Sequence, residues 1–542
     1  MAVDLEFHSR RAPVYGCGGM VAASQPLAVA AGLKILARGG TAADAAVAAA
    51  AALSVTEPCS TGLGGDAFVL YYHAAERKVF ALNGSGRAPA ALSIERIRQE
   101  GLGENLPPFH AYTVTVPGAC SAWCALSRRF GRLPLADVLT PAEQLAETGF
   151  PVAPLTALRW QRAARGLLAH SVNGRELTAS GRGPQAGELF RNPGLARTLR
   201  LVAELGEEGF YRGEVAAAVA AAVGEAGGCL SEHDMAAYAA EWVEPISVIY
   251  RGLRVWECPP NGQGLAVLLA LNLLAGYDLA VVQPFSPERI HLQIEAMRLA
   301  FADARRYTAD PAFAPAPLEE LLSLAYAEER RRLIDPLHAG PRRPPGSFPA
   351  GSDTVYFCVV DAEGNAASFI NSNYMGFGTG IVPRGWGFSL QNRGHNFSLD
   401  PSHPNALAPG KRPYHTIIPG MLTFEPDGAL CGPFGVMGGF MQPQGHVQVV
   451  SALADDGLDP QAALDRPRFC IAPDDVEMHV QLETDFDPLV FSGLKMFGHA
   501  VKRVAGLDRS IFGSGQIILR DPATGVLCGG TDPRADGCAM TL

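Results

Sequence analysis

Thr354 is the residue whose type and position point most directly to chemistry. It stands between a proline- and glycine-rich stretch, residues 335–353, and an apolar run, residues 355–360. The first composition favours an exposed loop, and the second favours a strand buried on both faces. A threonine at a chain start carries its own base, the α-amine, which titrates near about 7.7–8.0. Cleavage of the Asp353–Thr354 bond would therefore create a nucleophile and its base together, although an ordinary strand-starting threonine also fits this stretch.

The composition narrows the class of protein. The chain has 542 residues, 48% of them hydrophobic, and a formal net charge of −10 without an extended basic cluster, so nucleic-acid binding has little support. Eleven cysteines without a Cys-x-x-Cys pair suit a reducing compartment, and the first residues lack the apolar segment of a secretory signal. The alanine-rich residues 42–56 are interrupted by Asp44 and are too short to span a bilayer. We therefore expect a cytoplasmic protein that binds neither nucleic acid nor membranes.

Other candidate motifs do not fit the sites they loosely resemble. Residues 60–66, Ser-Thr-Gly-Leu-Gly-Gly-Asp, run from helix to strand, whereas a dinucleotide fingerprint runs from strand to helix. Residues 84–86, Gly-Ser-Gly, lack the flanking pattern of a nucleophile elbow. Four histidines of the C-terminal half lack metal-ligand spacing: His395, His403, His415 and His446. We expect no nucleotide site, no cofactor and no catalytic metal.

Hydrophobic periodicity predicts a layered arrangement of helices and strands. Thr41 is a natural N-cap, and Asp44 suits the positive end of the helix that follows. Helices are predicted at residues 24–38, 45–55, 119–129, 135–148, 192–205, 214–225, 265–274, 290–307, 444–453 and 460–464. Strands are predicted at residues 67–72, 246–250, 253–258, 355–360 and 366–370, and a region rich in strands and glycines includes residues 377–380, 386–390, 421–424 and 436–439. Paired strands between groups of helices indicate an α/β fold with a mostly antiparallel sheet.

A series of short motifs resembles the γ-glutamyltransferase family along nearly the whole chain. They are Gly-Gly-Met-Val-Ala-Ala-Ser-Gln-Pro (18–26), Gly-Gly-Thr-Ala-Ala-Asp-Ala-Ala-Val-Ala (39–48), Gly-Leu-Gly-Gly-Asp-Ala-Phe (62–68), Pro-Ile-Ser-Val-Ile-Tyr-Arg-Gly (245–252), Asp-Thr-Val-Tyr-Phe-Cys-Val-Val-Asp (353–361), Phe-Gly-Thr-Gly-Ile (377–381), Lys-Arg-Pro (411–413), Met-Gly-Gly (437–439) and Thr-Asp-Pro-Arg (531–534). The resemblance implies an N-terminal-nucleophile hydrolase with a four-layer αββα sandwich. It also implies a precursor that cleaves itself into a large subunit, residues 1–353, which ends in the exposed linker 335–353, and a small subunit, residues 354–542.

Carried over position by position, the resemblance implies catalytic roles. Thr354 would be the first residue of the small subunit and the nucleophile, and Asp353–Thr354 the cleavage site. Ser372 falls where the family places a hydroxyl that hydrogen-bonds the nucleophile, and Gly438 and Gly439 fall on the paired glycines of the oxyanion hole. Glycine suits this role because the backbone N–H groups must approach the developing oxyanion to about 2.7–3.1 Å.

The implied substrate pocket departs from that of members that handle glutathione. Their donor-carboxylate arginine is missing after Ala-Pro-Ala (88–90), and their aspartate for the donor amine is Asn396, which cannot pair with an ammonium charge. His415 and Thr416 replace two adjacent serines, and Arg393 adds a cation that is either a pocket residue or a surface charge. These changes remove the grip on an α-amino acid and add a planar fork for a carboxylate. They resemble the oxamate amidohydrolase and transferase-like branches of the family.

Three functions remain open on the sequence. The first is an autoprocessed amide hydrolase or acyltransferase that forms an acyl-enzyme on Thr354 with a small, carboxylate-bearing, oxamate-like amide. The second is true γ-glutamyl transfer with glutathione, which needs Arg87 or Arg96 to replace the missing arginine. The third is an uncleaved, non-catalytic homologue. The first two predict a heterodimer of the cleaved chains, either alone or paired into a dimer of heterodimers.

Overall fold

The computed structural model describes residues 11–103, 105–340, 354–471 and 479–542. The strands in this part of the chain are β1 (Val14–Gly16), β2 (Gly19–Ala23), β3 (Asp66–His73), β4 (Lys78–Gly84), β5 (Phe150–Pro151), β6 (Leu189–Phe190), β7 (Glu241–Val243), β8 (Ile246–Tyr250), β9 (Leu253–Glu257), β10 (Val355–Asp361), β11 (Ala366–Ser372), β12 (Gly420–Phe424), β13 (Leu430–Met437), β14 (Phe469–Ile471), β15 (Val480–Glu483), β16 (Val501–Val504), β17 (Ser514–Arg520), β18 (Leu527–Thr531) and β19 (Cys538–Thr541).

The α-helices of the same residues surround these strands. They are α1 (Pro26–Ala37), α2 (Ala42–Thr56), α3 (Ile94–Gln99), α4 (Ala119–Phe130), α5 (Leu135–Thr148), α6 (Pro154–Arg165), α7 (Leu167–His170), α8 (Pro193–Leu205), α9 (Glu208–Tyr211), α10 (Gly213–Glu225), α11 (Glu232–Ala236), α12 (Gly264–Leu274), α13 (Pro287–Tyr307), α14 (Leu318–Leu321), α15 (Leu324–Arg331), α16 (Met441–Ala454), α17 (Pro460–Asp465) and α18 (Pro488–Met496). Short 3₁₀ turns cover Ala111–Thr113, Gly174–Leu177, Leu279–Val281, Arg393–Asn396 and Gly506–Phe512. Within the described residues, none of these helices combines the length and apolar character needed to cross a bilayer.

Two large antiparallel sheets form the centre of the molecule. The first has the strand order β1-β18-β17-β13-β12-β9-β8, and the second has the order β19-β2-β10-β11-β3-β4-β7. Neighbouring strands run antiparallel in both sheets. A small three-stranded sheet, β14-β15-β16, contains a parallel pair between β15 and β16. The predicted preference for antiparallel pairing is confirmed.

Three hydrophobic cores define four layers. One core lies between the sheets and joins side chains such as Phe68 and Tyr356 of the second sheet to Met421 and Ile518 of the first. A second core packs the outer face of the second sheet against helices that include α1, α2, α4, α5 and α8. A third packs the outer face of the first sheet against α12, α13, α16, α17 and α18. The αββα sandwich expected from the resemblance is confirmed.

The strand that follows Thr354 is buried on both faces, as its apolar run predicts. Every residue of β10 is buried. Val355, Phe357 and Val359 face the helical layer, whereas Tyr356, Cys358 and Val360 face the other sheet. Because successive side chains of a strand point to opposite faces, a strand between two apolar layers needs this continuous apolar run.

Helix α2 covers the second sheet beside this strand. Its N-terminus carries a capping box: Thr41 Oγ1 accepts from Asp44 N, and Asp44 Oδ2 accepts from Thr41 N at 3.0 Å. All fifteen residues of α2 are buried, and most are alanines. Small side chains on every face let the helix approach both the sheet and its neighbouring helices closely, and the helix predicted at residues 45–55 is confirmed.

The structure contradicts the strand predicted at residues 386–390 and describes only part of the loop predicted at residues 335–353. Residues 386–390 form no strand, because Gly385 and Gly387 have φ angles of 77° and 71°, and the carbonyls of Trp386 and Gly387 accept from Thr198 and Asn192 near α8. The side chains of Asn192 and Thr198 therefore donate the hydrogen bonds that a neighbouring strand would otherwise donate to these carbonyls. In the stretch predicted as an exposed loop, residues 335–338 are exposed, and residues 341–353 lie outside the described part of the chain.

Candidate functional site

Antiparallel pairing brings three functional side chains into one row across the second sheet. β10 pairs with β11 with Val355 opposite Asn371, and the same register places Thr354 opposite Ser372. On the other side of β11, Ser372 pairs with Asp66 at the start of β3. Directly opposed residues of antiparallel strands lie about 4.5–5.5 Å apart, so their side chains can interact. The row therefore joins a hydroxyl pair to a carboxylate although the residues are far apart in the sequence.

The Thr354 and Ser372 hydroxyls form a buried hydrogen bond. Their Oγ atoms are 2.9 Å apart. Ser372 Oγ also accepts from the backbone N–H of Tyr374 at 2.8 Å and from Arg393 Nη2 at 3.3 Å. A serine oxygen has two acceptor lone pairs and one proton, so Ser372 can accept from these two donors and still donate a hydrogen bond to Thr354 Oγ1.

Arg393 places a buried positive charge beside this pair. Its Nη1 donates to Thr416 Oγ1 at 2.7 Å, and its guanidinium lies 4.4 Å from the centre of the Tyr374 ring. Burial lowers the pKa of Arg393 to about 10, with Asp66 opposing this effect. The guanidinium therefore stays charged at neutral pH. Arg393 is not a surface charge, since none of its surface is exposed.

Asp66 and His415 are ionisable residues that lie next to Arg393. Asp66 Oδ2 accepts from His415 Nε2 at 3.0 Å and lies 3.9 Å from Arg393 Nε, while Oδ1 accepts from the N–H groups of Gly86 and Gly118 at 3.0 and 3.2 Å. Burial raises the pKa of Asp66 to about 7, with Arg393 and the backbone donors opposing this effect. Burial and the Arg393 charge lower the pKa of His415 well below its ordinary value, so its imidazole is neutral.

The paired glycines connect to the same cluster through Gln263. Gly438 and Gly439 follow β13 with φ angles of 129° and 59°, which glycine adopts without strain. Gln263 Nε2 donates to the carbonyls of both Gly439 and Thr416, at 2.9 and 2.6 Å, and Gln263 Oε1 accepts from Tyr414 Oη. The side-chain amide of Gln263 thus fixes the turn formed by Gly438 and Gly439, called the glycine turn below, relative to Thr416. The hydroxyl of Thr416 accepts from Arg393.

Asn396 is joined to the site through Tyr374. Asn396 Oδ1 accepts from Tyr374 Oη at 2.7 Å, and Asn396 Nδ2 donates to the Tyr414 carbonyl at 3.1 Å. Tyr374 itself has a φ angle of 76°, a strained value for a residue with a side chain. Strained residues concentrate at functional sites, where surrounding contacts hold them in place. Here the contacts are the bonds of Tyr374 to Ser372 and Asn396 and its stacking on Arg393.

The glycine-rich residues 60–66 serve close packing. A Cβ on Gly65 would lie 2.4 Å from the Ser372 carbonyl oxygen, and a Cβ on Gly64 would lie 2.1 Å from the Ser389 carbonyl oxygen. Both are far inside a normal contact, so the motif lets its loop pass directly against the end of β11. This placement gives the glycines a physical reason that does not involve a phosphate.

The two arginines considered for γ-glutamyl recognition have other partners. Arg87 donates to the Gly410 carbonyl and to Glu241. Arg96 donates from Nε to Tyr112 Oη at 2.9 Å and lies 3.5 Å from Glu100. Among the described residues, the hydrogen bonds and ion pairs of these two arginines go to residues other than Thr354, Ser372 and Arg393.

The four histidines considered as metal ligands do not converge on one point. His415 contacts Asp66, His446 contacts Glu257 at 2.7 Å, His395 contacts the Leu106 carbonyl, and His403 accepts from the backbone N–H of Asn405. A different group, His291, Glu295 and His499, brings ligand-type atoms within 4.8 Å of one another. Its ring nitrogens are hydrogen-bonded: His291 to His499 at 2.8 Å and to the Asp335 carbonyl at 2.7 Å, and His499 to Arg298 at 3.3 Å. This network satisfies the imidazoles without an ion.

The sequence-predicted residues form one contact network. Thr354, Ser372, Arg393 and Thr416 are in direct contact, whereas His415, Asn396 and the glycine pair join through Asp66, Tyr374 and Gln263, respectively. Asp353 lies outside the described residues. Sequence reasoning did not assign roles to these three connecting residues. Asp66 had the best signal, a charged residue between a glycine motif and an apolar strand.

The amino-acid sequence is similar to known proteins along nearly its whole length. The family model described as Gamma-glutamyltranspeptidase matches residues 28–542. The chain is 38% identical to the glutathione hydrolase-like YwrD proenzyme of Bacillus subtilis over 98% of this chain and 99% of the relative. It is 34% identical to the oxamate amidohydrolase proenzyme of Klebsiella pneumoniae over 96% of this chain and 98% of the relative.

A solved structure extends the likeness to three dimensions. The crystal structure of cephalosporin acylase from Bacillus halodurans aligns with a TM-score of 0.91 and 48% identity, covering 98% of this chain and 97% of the other. The shared architecture therefore includes both sheets and all layers described above.

Proposed function

This chain belongs to the gamma-glutamyltranspeptidase family and is a hydrolase or acyltransferase of that type, and from this premise we propose that it is a self-cleaving amide hydrolase whose nucleophile is Thr354. Cleavage of the Asp353–Thr354 bond yields a large subunit, residues 1–353, and a small subunit, residues 354–542, which remain together as a heterodimer. The observation that carries the proposal is the buried hydrogen bond between Thr354 Oγ1 and Ser372 Oγ beside the Arg393 guanidinium.

The attack uses groups of the small subunit. The α-amine of Thr354 takes the proton of Oγ1, while Ser372 donates a hydrogen bond that lowers the negative charge on the attacking oxygen. Oγ1 bonds to the amide carbon, and the N–H groups of Gly438 and Gly439 receive the resulting oxyanion. The C–N bond then breaks as the α-amine passes its proton to the leaving nitrogen, which departs as ammonia or amine. An ester to Thr354 remains. Water hydrolyses that ester and restores the hydroxyl.

The charge of the site favours an acyl group that bears a carboxylate. Arg393 is buried and charged within hydrogen-bond range of Ser372, so an anion bound to it lies next to the nucleophile. A planar guanidinium binds a carboxylate through two parallel hydrogen bonds. We propose a small amide such as oxamate, in which the carboxylate is attached directly to the carbon under attack. Asn396, His415 and Thr416 shape this pocket through their contacts with Tyr374, Asp66 and Arg393.

The test compares two substitutions of the nucleophile. We expect the wild-type protein to separate into chains of 353 and 189 residues, with a new N-terminal threonine that mass spectrometry identifies. Thr354→Ala, which lacks a hydroxyl, should remain one chain of 542 residues and release no ammonia from oxamate. Thr354→Ser keeps the hydroxyl and should retain cleavage and measurable activity. Cleavage and ammonia release by Thr354→Ala would exclude Thr354 as the nucleophile.

A further inference from the structure

Asp66 is a buried acid next to Arg393, the residue proposed above to bind the carboxylate of the substrate. It lies in the same row as Thr354 and Ser372, and its Oδ2 is 3.9 Å from Arg393 Nε. Both side chains have no exposed surface. Within the described residues Arg393 Nε has no hydrogen-bond acceptor. The ion pair is therefore loose enough for another carboxylate to replace Asp66 at the guanidinium.

The remaining neighbours leave Asp66 as the main counter-charge of Arg393. His415 Nδ1 accepts from the backbone N–H of Ile417 at 3.4 Å, so its proton is on Nε2, which donates to Asp66. A second arginine, Arg412, is already paired with Glu241, and Tyr238 donates to the Ser85 carbonyl. Among the described residues, the N–H groups of Gly86 and Gly118 and the side chain of Ser372, which pairs with Asp66 across the sheet, also face Asp66.

On the basis of the proposed function, we propose that Asp66 determines the specificity of the site for an anionic acyl group by taking up a proton when a substrate carboxylate pairs with Arg393. The proton comes from solvent and converts the Asp66 carboxylate to a neutral carboxyl. Two carboxylates at one buried guanidinium repel each other, and protonating one of them removes the repulsion. The neutral carboxyl still accepts from His415 and the two backbone donors, so the pocket keeps its shape.

This coupling makes anion binding depend on pH. Burial raises the pKa of Asp66 to about 7, so the acid is largely protonated at pH 6 and largely ionised at pH 8. Binding at pH 6 therefore needs little proton uptake, whereas binding at pH 8 needs nearly one proton. The affinity for a carboxylate falls toward tenfold per pH unit above 7 as a result.

The experiment measures proton uptake directly with oxalate, which has no titrating group between pH 6 and 9. Oxalate is titrated into the mature wild-type enzyme by calorimetry in buffers of different ionisation enthalpy. We expect uptake of close to one proton per oxalate at pH 8 and clearly less at pH 6. Asp66→Asn should abolish the uptake and remove the pH dependence of the affinity, and Arg393→Ala should abolish oxalate binding.

Asp361→Asn is the matched control, because Asp361 is a buried aspartate whose contacts with Ala42 and Asn365 lie at the far end of β10. It should leave the uptake at the wild-type value. Uptake that persists in Asp66→Asn would belong to another group, such as the Thr354 α-amine, and would overturn the proposal.

A second measurement decides if Asp66→Asn does not fold. It is the wild-type ratio of kcat/KM for oxamate to kcat/KM for neutral oxamide, because this ratio cancels the ionisation of the α-amine. It should fall above pH 7, and a constant ratio would overturn the role of Asp66.

The outcomes separate this inference from the proposed function. Oxalate that binds the wild-type enzyme without proton uptake overturns only the role of Asp66. Oxalate that fails to bind at every pH overturns the assignment of Arg393 to a carboxylate, and the inference with it. Failure of Thr354→Ala to abolish cleavage and ammonia release concerns the nucleophile alone.

Discussion

At the scale of single residues, the neighbours of Asn396 explain why an amide stands where the family resemblance led us to expect an aspartate. One end of its side chain meets a donor, the Tyr374 hydroxyl, and the other end meets an acceptor, the Tyr414 carbonyl. An amide matches this donor-and-acceptor pair, whereas an ionised carboxylate offers acceptors only. The neutral residue is therefore required by its neighbours and is not simply the loss of a charge.

Asn396→Asp tests this argument. The introduced carboxylate would face the Tyr414 carbonyl without a proton between the two oxygens, so we expect the free energy of unfolding to fall by about 1–3 kcal/mol at pH 7. The same contact raises the pKa of the new carboxyl, which regains a donor when it is protonated. The deficit should therefore be present at high pH and shrink as the pH falls through that raised pKa. Urea unfolding of the mature enzyme between pH 4 and 8 measures this difference.

Asn105→Asp makes the same chemical change at an exposed position and controls for the added charge. It should alter stability by no more than about 0.5 kcal/mol. An Asn396→Asp enzyme with wild-type stability and new activity on a γ-glutamyl anilide would show that the side chain is free to bind an ammonium group, contrary to the geometry.

At the scale of elements, local patterns predicted the supports of the site well. Thr41 and Asp44 marked the start of α2, and the apolar run after Thr354 marked a doubly buried strand, because capping and burial leave signals within a few neighbouring residues. The row that joins Thr354, Ser372 and Asp66 left no such signal, since strand register links residues separated by as many as 306 positions. The place of Asp66 follows only from that long-range pairing, and the place of Gln263 follows from hydrogen bonds to residues 153 and 176 positions away.

Gly65 tests how closely β3 and β11 must meet. In Gly65→Ala the new Cβ would lie 2.4 Å from the Ser372 carbonyl oxygen and 2.8 Å from its carbonyl carbon, both backbone atoms that cannot rotate away. The end of β11 must then shift and move Ser372 relative to Thr354. We expect kcat for amide hydrolysis to fall at least tenfold (~1.4 kcal/mol in the activation barrier), with a smaller change in KM.

Gly224→Ala is the matched control, because a Cβ at this position in α10 meets nothing within 4 Å and the backbone is helical. It should leave kcat unchanged and raise stability by up to about 1 kcal/mol, the usual preference for alanine in a helix. Equal activities of the two variants would mean that the position of Ser372 tolerates the shift.

At the scale of the whole molecule, a buried ion network joins separate elements behind the glycine turn. Arg534 donates to Glu483 and Asp532, and Arg468 donates to Asp532 at 2.6 Å and to the carbonyl of Gly513. Gly513 in turn packs against the glycine turn, since a Cβ on Gly438 would lie 3.0 Å from Gly513 Cα. The Thr-Asp-Pro-Arg motif therefore links the small three-stranded sheet, the first large sheet and the turn formed by Gly438 and Gly439.

The last prediction concerns Arg534→Met, which removes one cation from this network. Burial alone would raise the pKa of Asp532 and Glu483, but the neighbouring arginines outweigh it and hold both pKa values below the usual range. Removing Arg534 leaves buried carboxylates short of a partner, so we expect a loss of about 3–5 kcal/mol at pH 7 and a lower kcat. Depressed pKa values contribute stability above the unfolded values, and this contribution is lost as the pH falls through the folded values. The deficit of the variant should therefore narrow below about pH 4. The matched control is Arg332→Met, which removes an exposed partner of Glu328. It should lower the free energy of unfolding by less than about 1 kcal/mol when both variants are unfolded in urea. An equal loss in the two variants would show that the buried network adds nothing beyond a surface ion pair.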